Sequence, residues 1–228
     1  MNPRQSYMRR PERTVTGTLL VLNIIVFLLM EFIGGGTTNS ETLLKFGAMR
    51  PDLVRDGQYF RFITPIFIHI GFVHLMFNTT FLQATGSTVE SIFGKLNFFL
   101  IYMLSGIMGN IFSFGFGSDS TISAGASTAL YGMLGVMLGF TVFYKHNQQL
   151  RRLGSGYILT IIINIIYTLT TPGIGILGHL GGLIGGFLLS GIFTNRYDRP
   201  STFQQLVCLI LFICIIFISL AKGGLINI

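Results

Sequence analysis

The chain predicts an all-α bundle of seven membrane-spanning helices, a polytopic membrane protein, and three observations lead there. Half of its 228 residues are hydrophobic and 10% are charged, against roughly 25% charged in soluble domains. Apolar runs of about 20 residues, enough to cross the hydrocarbon as a helix, recur along nearly the whole length. The basic residues collect in alternate connections between those runs, as cytoplasmic loops require.

Seven runs qualify: 15–33, 68–86, 96–116, 126–144, 156–171, 174–193 and 206–221. Ahead of the first lies a tail, 1–14, holding Arg4, Arg9, Arg10 and Arg13. The run behind it is too long for a signal peptide and lacks a small-residue cleavage pattern, so it reads as an uncleaved span with a cytoplasmic N-terminus. Seven spans then place 87–95, 145–155 and 194–205 inside. Those loops and the tail carry ten of the fifteen Lys and Arg residues. The outer segments carry Lys45, Arg50, Arg55, Arg61 and Lys222, and three acids, Glu41, Asp52 and Asp56, accompany four of them in the long loop 34–67. That loop opens on a flexible Gly34–Ser40 stretch and continues with apolar residues among charges, a composition suited to the membrane interface.

The net charge of +7 would suggest nucleic acid in a soluble protein. Here no basic run interleaved with aromatics occurs, and the excess marks loops beside a lipid bilayer. Cys208 and Cys214 share the last span. Six residues of helix separate them by about 9 Å along the axis, too far to bridge. Neither a metal nor an organic cofactor is expected.

Polar side chains inside spans are costly and usually face a bundle interior. Three clusters stand out. His69, His74 and Asn78 open the second span, Gly125-Ala126-Ser127-Thr128 opens the fourth, and His179 lies about one turn into the sixth. All three spans run inward from the outer face, so the clusters share one depth. His146 falls in a cytoplasmic loop and takes no role. Asn23, Asn110 and Asn164 read as packing groups.

The set suits acyl transfer. A serine hydroxyl needs a base to take its proton, and His179 supplies one for Ser127. His74 and Asn78, four apart on one helix face, can donate hydrogen bonds to an oxyanion. The Ser127 amide, free at a helix N-terminus, adds a third donor. His69 is better placed to hold the loop or helix than to touch substrate. No carboxylate lies inside a span at this level, so a two-residue pair is expected, with Asp119 in the loop 117–125 as the remaining alternative for a third member. Gly178, Gly182 and Gly186 form a small-residue stripe broadened by Gly181 and Gly185. Gly132, Gly135 and Gly139 do the same on the fourth span. Such stripes let two backbones approach, which a Ser127–His179 hydrogen bond requires. Tyr131, one turn below Ser127, can pack under the His179 ring.

From Tyr59 to Phe187 these residues resemble the rhomboid intramembrane serine proteases. Phe60-Arg61 stands where the family has an aromatic-arginine pair. His69, His74 and Asn78 match its second-helix motif, Gly125-Ala126-Ser127 its nucleophile motif, and His179, Gly182 and Gly186 its base helix. The resemblance implies a Ser127 nucleophile, a His179 base and an oxyanion hole of His74, Asn78 and the Ser127 amide. Gly125 and Tyr131 then fall on site-lining positions. It also implies a six-helix catalytic core over 15–193, with 194–228 forming a cytoplasmic loop and an extra seventh helix. The enzyme would cleave transmembrane protein substrates in or beside their spans, from the cell membrane, with its site opening to the extracellular side. Thr128 departs from the family's usual glycine, and its branched side chain is expected to narrow the space beside the nucleophile.

Two rival readings differ in kind. A catalytically silent relative that binds membrane clients would keep the fold without needing the Ser127–His179 pair. A transporter with a histidine proton relay would spread polar groups through the whole bilayer depth, whereas these stop near one face.

Overall fold

The computed structural model describes residues 14–171 and 173–226. The tail arginines Arg4, Arg9, Arg10 and Arg13 lie outside the described residues. Within them the chain is helical throughout, with no strand beyond a single two-residue bridge. The first helix, α1, covers Thr14–Phe32. In the long loop come α2 (Ser40–Phe46), α3 (Pro51–Arg55) and two single 3₁₀ turns, Tyr59–Phe62 and Thr64–Phe67. Next are α4 (Gly71–Phe81), a π-helical turn (Leu82–Gly86) and α5 (Ser87–Phe93). The remaining helices are α6 (Lys95–Phe116), α7 (Ser127–Phe143), α8 (Gln148–Thr170), α9 (Ile176–Ile192) and α10 (Thr202–Lys222).

Each of the seven apolar runs is helical over most of its length, but three boundaries move. The second run starts at Gly71 rather than Ile68 and continues without a break through 87–93, which the sequence suggested was loop. The cause is Glu90. Its carboxylate, fully buried, accepts the amides of Val15 and Thr16 at 2.9 Å each and the Thr16 hydroxyl at 2.7 Å. An anion thus caps the open amides at the N-terminus of α1, and the helix carrying it must reach that far. The fifth run gains two turns, because the Asn147 side chain accepts the amides of Gln149 and Leu150 and starts α8 there. The last run begins at Thr202, where Ser201 and Gln204 form a reciprocal cap.

α6, α7 and α9 make the centre, and α1, α8 and α10 stand around it. The outer helices expose continuous apolar faces, such as Ile158, Leu159, Ile162, Ile163 and Ile166 on α8. Among the described residues four helices are long and apolar enough to cross a membrane: α1, α6, α8 and α10. α7 and α9 are shorter and mostly buried. An apolar exterior around a helical core, with backbone groups satisfied within helices, is what lipid demands. The chain is a polytopic helical membrane protein.

The tightest contact lies between α7 and α9. A Cβ added at Gly182 would overlap the Thr128 carbonyl, one at Gly186 the Gly132 carbonyl, and one at Gly135 the Leu183 carbonyl. Lipid tails are as apolar as Leu, so association here depends on close van der Waals packing. At the far end, the Tyr144 hydroxyl reaches the carbonyls of Ser190 and Phe193 at 2.8 and 3.1 Å and ties the same two helices again.

Gly186→Ala therefore should lose about 1–3 kcal/mol of stability through backbone overlap. Gly156→Ala, in the same type of helix but facing open space, should gain up to about 1 kcal/mol. Thermal unfolding of both variants in one detergent checks this pair. Equal melting temperatures would mean that the α7–α9 approach is not limiting.

Candidate active site

The long loop sets the position of Ser127. Met49 and Ser123 exchange backbone hydrogen bonds at 2.8 and 3.0 Å, and the Gly125 amide donates to the Pro65 carbonyl at 2.9 Å. Buried Arg61 holds the loop itself, donating to the Ala48 carbonyl at 2.6 Å and to the Gln58 side chain at 2.9 and 2.6 Å. Its neighbour Phe60 is half exposed. Two short strips of chain are thus laid together just before α7 begins.

Ser127 is the first residue of α7, so its amide has no acceptor within the helix. Gly125, at φ +135°, adopts a conformation that side chains disfavour. A Cβ there would stand 2.7–2.8 Å from the His74 ring and 3.3 Å from Ser127 Oγ. Glycine is what allows the imidazole and the hydroxyl to share that corner. His69 does not lie in the helix, so no helical angle relates it to His74. It sits in the segment before α4, fully buried, and its Nε2 accepts the Ala126 amide at 3.4 Å. His69 thus backs the loop that leads into Ser127 and does not line the cavity.

The structure brings Ser127 and His179 together across the α7–α9 contact: His179 Nε2 lies 2.8 Å from Ser127 Oγ. The Tyr131 ring stacks on the His179 ring, with centroids 4.0 Å apart and planes 11° from parallel. Asp119 takes no part. Its carboxylate pairs with Arg55 at 2.6 Å on the exposed surface and raises that guanidinium above its ordinary value. The partner of His179 Nδ1 is instead the hydroxyl of Thr168, at 3.0 Å, which sequence reasoning missed. A signal was present. Thr168 lies two residues before the end of α8 and His179 three after the start of α9. A short connection therefore sets the two residues level.

His74 and Asn78 line the same cavity as Ser127 and His179. His74 Nδ1 accepts the Ile70 amide at 3.4 Å, so the proton of the neutral ring resides on Nε2, the nitrogen beside Gly125 and Ser127. One Asn78 amide hydrogen is spent on the His74 carbonyl at 2.8 Å, which leaves one for the cavity. The cavity measures about 870 Å³. α4 contributes Val73, Phe77 and Phe81 to its wall, and α8 contributes Ile163 and Tyr167. The walls given by α4 and α8 are therefore largely apolar, while His74, Asn78, Ser127 and His179 supply polar groups.

Thr128 corrects another expectation. Its side chain turns away from this cavity into the slot that Gly109 on α6 and Gly178 on α9 leave open, with Cγ2 3.1 Å and Cβ 3.0 Å from where their Cβ atoms would stand. The branched residue fills helix packing and does not line the cavity beside Ser127.

The Rhomboid domain family matches residues 56–196. The chain is 44% identical over 174 residues to Rhomboid protease GluP of Bacillus subtilis (strain 168), covering 76% of this chain and 34% of that protein. It is 32% identical over 165 residues to Rhomboid-like protease 1 of Toxoplasma gondii, covering 71% and 56%. It is 33% identical over 159 residues to RHOMBOID-like protein 5 of Arabidopsis thaliana, covering 68% and 50%. The chain thus spans about a third of the first relative and about half of the other two.

Removing the acceptor behind the nucleophile loop should be felt in stability. His69→Leu leaves the Ala126 amide buried without a partner, at a cost of about 1–3 kcal/mol. His69→Gln, which keeps an acceptor, should recover part of it. Thermal unfolding in detergent is the measurement, and a Leu variant as stable as the parent would remove His69 from this role.

Proposed function

Since the chain belongs to the rhomboid family, we propose that it is an intramembrane serine endopeptidase, with Ser127 as nucleophile and His179 as base. The observation that carries this reading is the 2.8 Å approach of His179 Nε2 to Ser127 Oγ in a cavity that α4 and α8 help to line.

The reaction follows from the geometry. Ser127 Oγ attacks the scissile carbonyl carbon as its proton passes to His179 Nε2. The carbonyl electron pair moves onto oxygen, which takes hydrogen bonds from His74 Nε2–H, the remaining Asn78 amide hydrogen and the Ser127 amide. Collapse breaks the C–N bond, and His179 returns its proton to the leaving amine. Water then adds to the acyl-serine with His179 again as base, releasing the new carboxyl end and restoring Ser127. Tyr131 holds the imidazole in plane throughout.

The substrates are transmembrane proteins. A scissile carbonyl inside a helix is already hydrogen bonded, so the substrate segment must unwind before it reaches Ser127. Apolar walls around a polar catalytic group suit an apolar segment that is cut by water. Residues 15–193 form the catalytic core in this reading, and 194–228 add a loop and one further helix. The protein sits in the cell membrane with its N-terminus cytoplasmic and its site opening outward, since the basic residues concentrate on the opposite side.

Purified protein should cleave a model single-span substrate in detergent or proteoliposomes. Ser127→Ala and His179→Ala should each lose about 100-fold or more, the scale of a general base or its nucleophile. Equal cleavage by the parent and Ser127→Ala would exclude this chemistry. Full binding of a membrane client by both, with cleavage by neither, would favour a silent client binder.

A further inference from the structure

Thr168 carries an unexpected direction of hydrogen bonding. Threonines inside helices commonly return their hydroxyl to the carbonyl four residues back. Thr170, on the same helix, does so to Ile166 at 2.8 Å, and Thr79 on α4 does so to Leu75 at 2.8 Å. For Thr168 that acceptor would be the Asn164 carbonyl. Here the Tyr131 hydroxyl occupies it, at 2.7 Å. Thr168 turns instead to the Tyr131 oxygen and to His179 Nδ1.

The protons in this chain can be assigned from one end. The Asn164 carbonyl can only accept, so the single Tyr131 proton points to it. Toward Thr168 the Tyr131 oxygen must then accept, which uses the single Thr168 proton. Toward His179 the Thr168 oxygen must in turn accept, at 3.0 Å, so Nδ1 carries the hydrogen. A neutral imidazole has one N–H, and Nε2 is therefore bare where it faces Ser127 Oγ at 2.8 Å. Each link is buried or half-buried, with Thr168 at 3% exposure. Water has little access to reverse it.

Resting on the protease reading above, we propose that Thr168 is the positioning residue of the pair: its hydroxyl, oriented by Tyr131 and the Asn164 carbonyl, locks His179 in the tautomer that can accept the Ser127 proton. It does for this site what a buried carboxylate does in a three-residue arrangement, without placing a charge at membrane depth. Because it is neutral, it sets tautomer and ring orientation and offers the imidazolium little electrostatic support. Its effect falls on kcat and leaves substrate binding nearly unchanged.

Thr168→Val keeps the shape and removes the hydroxyl, and Thr168→Ser restores it. The Val variant should fold with a melting temperature close to the parent's, hold KM within about twofold and lose roughly 10- to 100-fold in kcat, less than a whole general base is worth. Ser should recover most of the loss. Nitrogen NMR of ¹⁵N-histidine-labelled protein, with His179 assigned by comparison with His179→Asn, reads the tautomer directly. Hydrogen on Nδ1 in the parent, and its loss or mixing in the Val variant, is expected. Hydrogen on Nε2 in the parent, or an unchanged Nδ1–H tautomer and unchanged kcat in the Val variant, overturns the proposal. The spectrum decides it whether or not a given substrate is cut. A parent that cleaves nothing, with the expected spectrum, would count against the protease reading alone.

Discussion

The arrangement depends on one close approach, that of the α9 backbone to the α7 backbone. Gly182 and Gly186 lie against the carbonyls of Thr128 and Gly132 with no room for a methyl group. Because Ser127 begins α7 and His179 lies one turn into α9, that distance fixes the separation of hydroxyl and imidazole. A side chain at Gly182 or Gly186 would overlap the α7 backbone and push the two helices apart. The glycines are therefore part of the site although none touches a substrate.

The second constraint is charge. A carboxylate beside His179 would have to be buried among apolar helices, where an ionised group is costly unless it is fully paired. Asp119, the acid the sequence offered as a third member, is at the surface with Arg55. Where the fold does bury a carboxylate, Glu90, it surrounds it with three donors at the start of α1. At the site the same orienting task falls to neutral hydroxyls, with a backbone carbonyl as the terminal acceptor. Tyr131 serves twice, stacking under the imidazole and turning Thr168 toward it.

Much of this was legible in the residues. The apolar runs gave the helices, and the common depth of His74, Asn78, Ser127 and His179 pointed to the one cavity that all four line, because span direction converts sequence position into height. The glycine stripes on the fourth and sixth runs announced the close contact. What escaped had no local signature. Glu90 reads as a loop residue until α1 is seen to need its cap. Thr128 reads as a neighbour of the nucleophile until Gly109 and Gly178, on two other helices, are seen to make room for it. Thr168 is one of many hydroxyls in the spans. Its role comes from Tyr131 taking the carbonyl it would otherwise bond, a contact between helices that spacing along one chain cannot express.

The most direct test of the central claim is whether Ser127 is chemically activated by His179. Purified protein would be treated with a fluorophosphonate, which phosphonylates activated serines, and the adduct located by mass spectrometry. The account predicts a single adduct on Ser127 that disappears in a folded His179→Asn variant. An adduct on another serine, or equal labelling of Ser127 without His179, would contradict it.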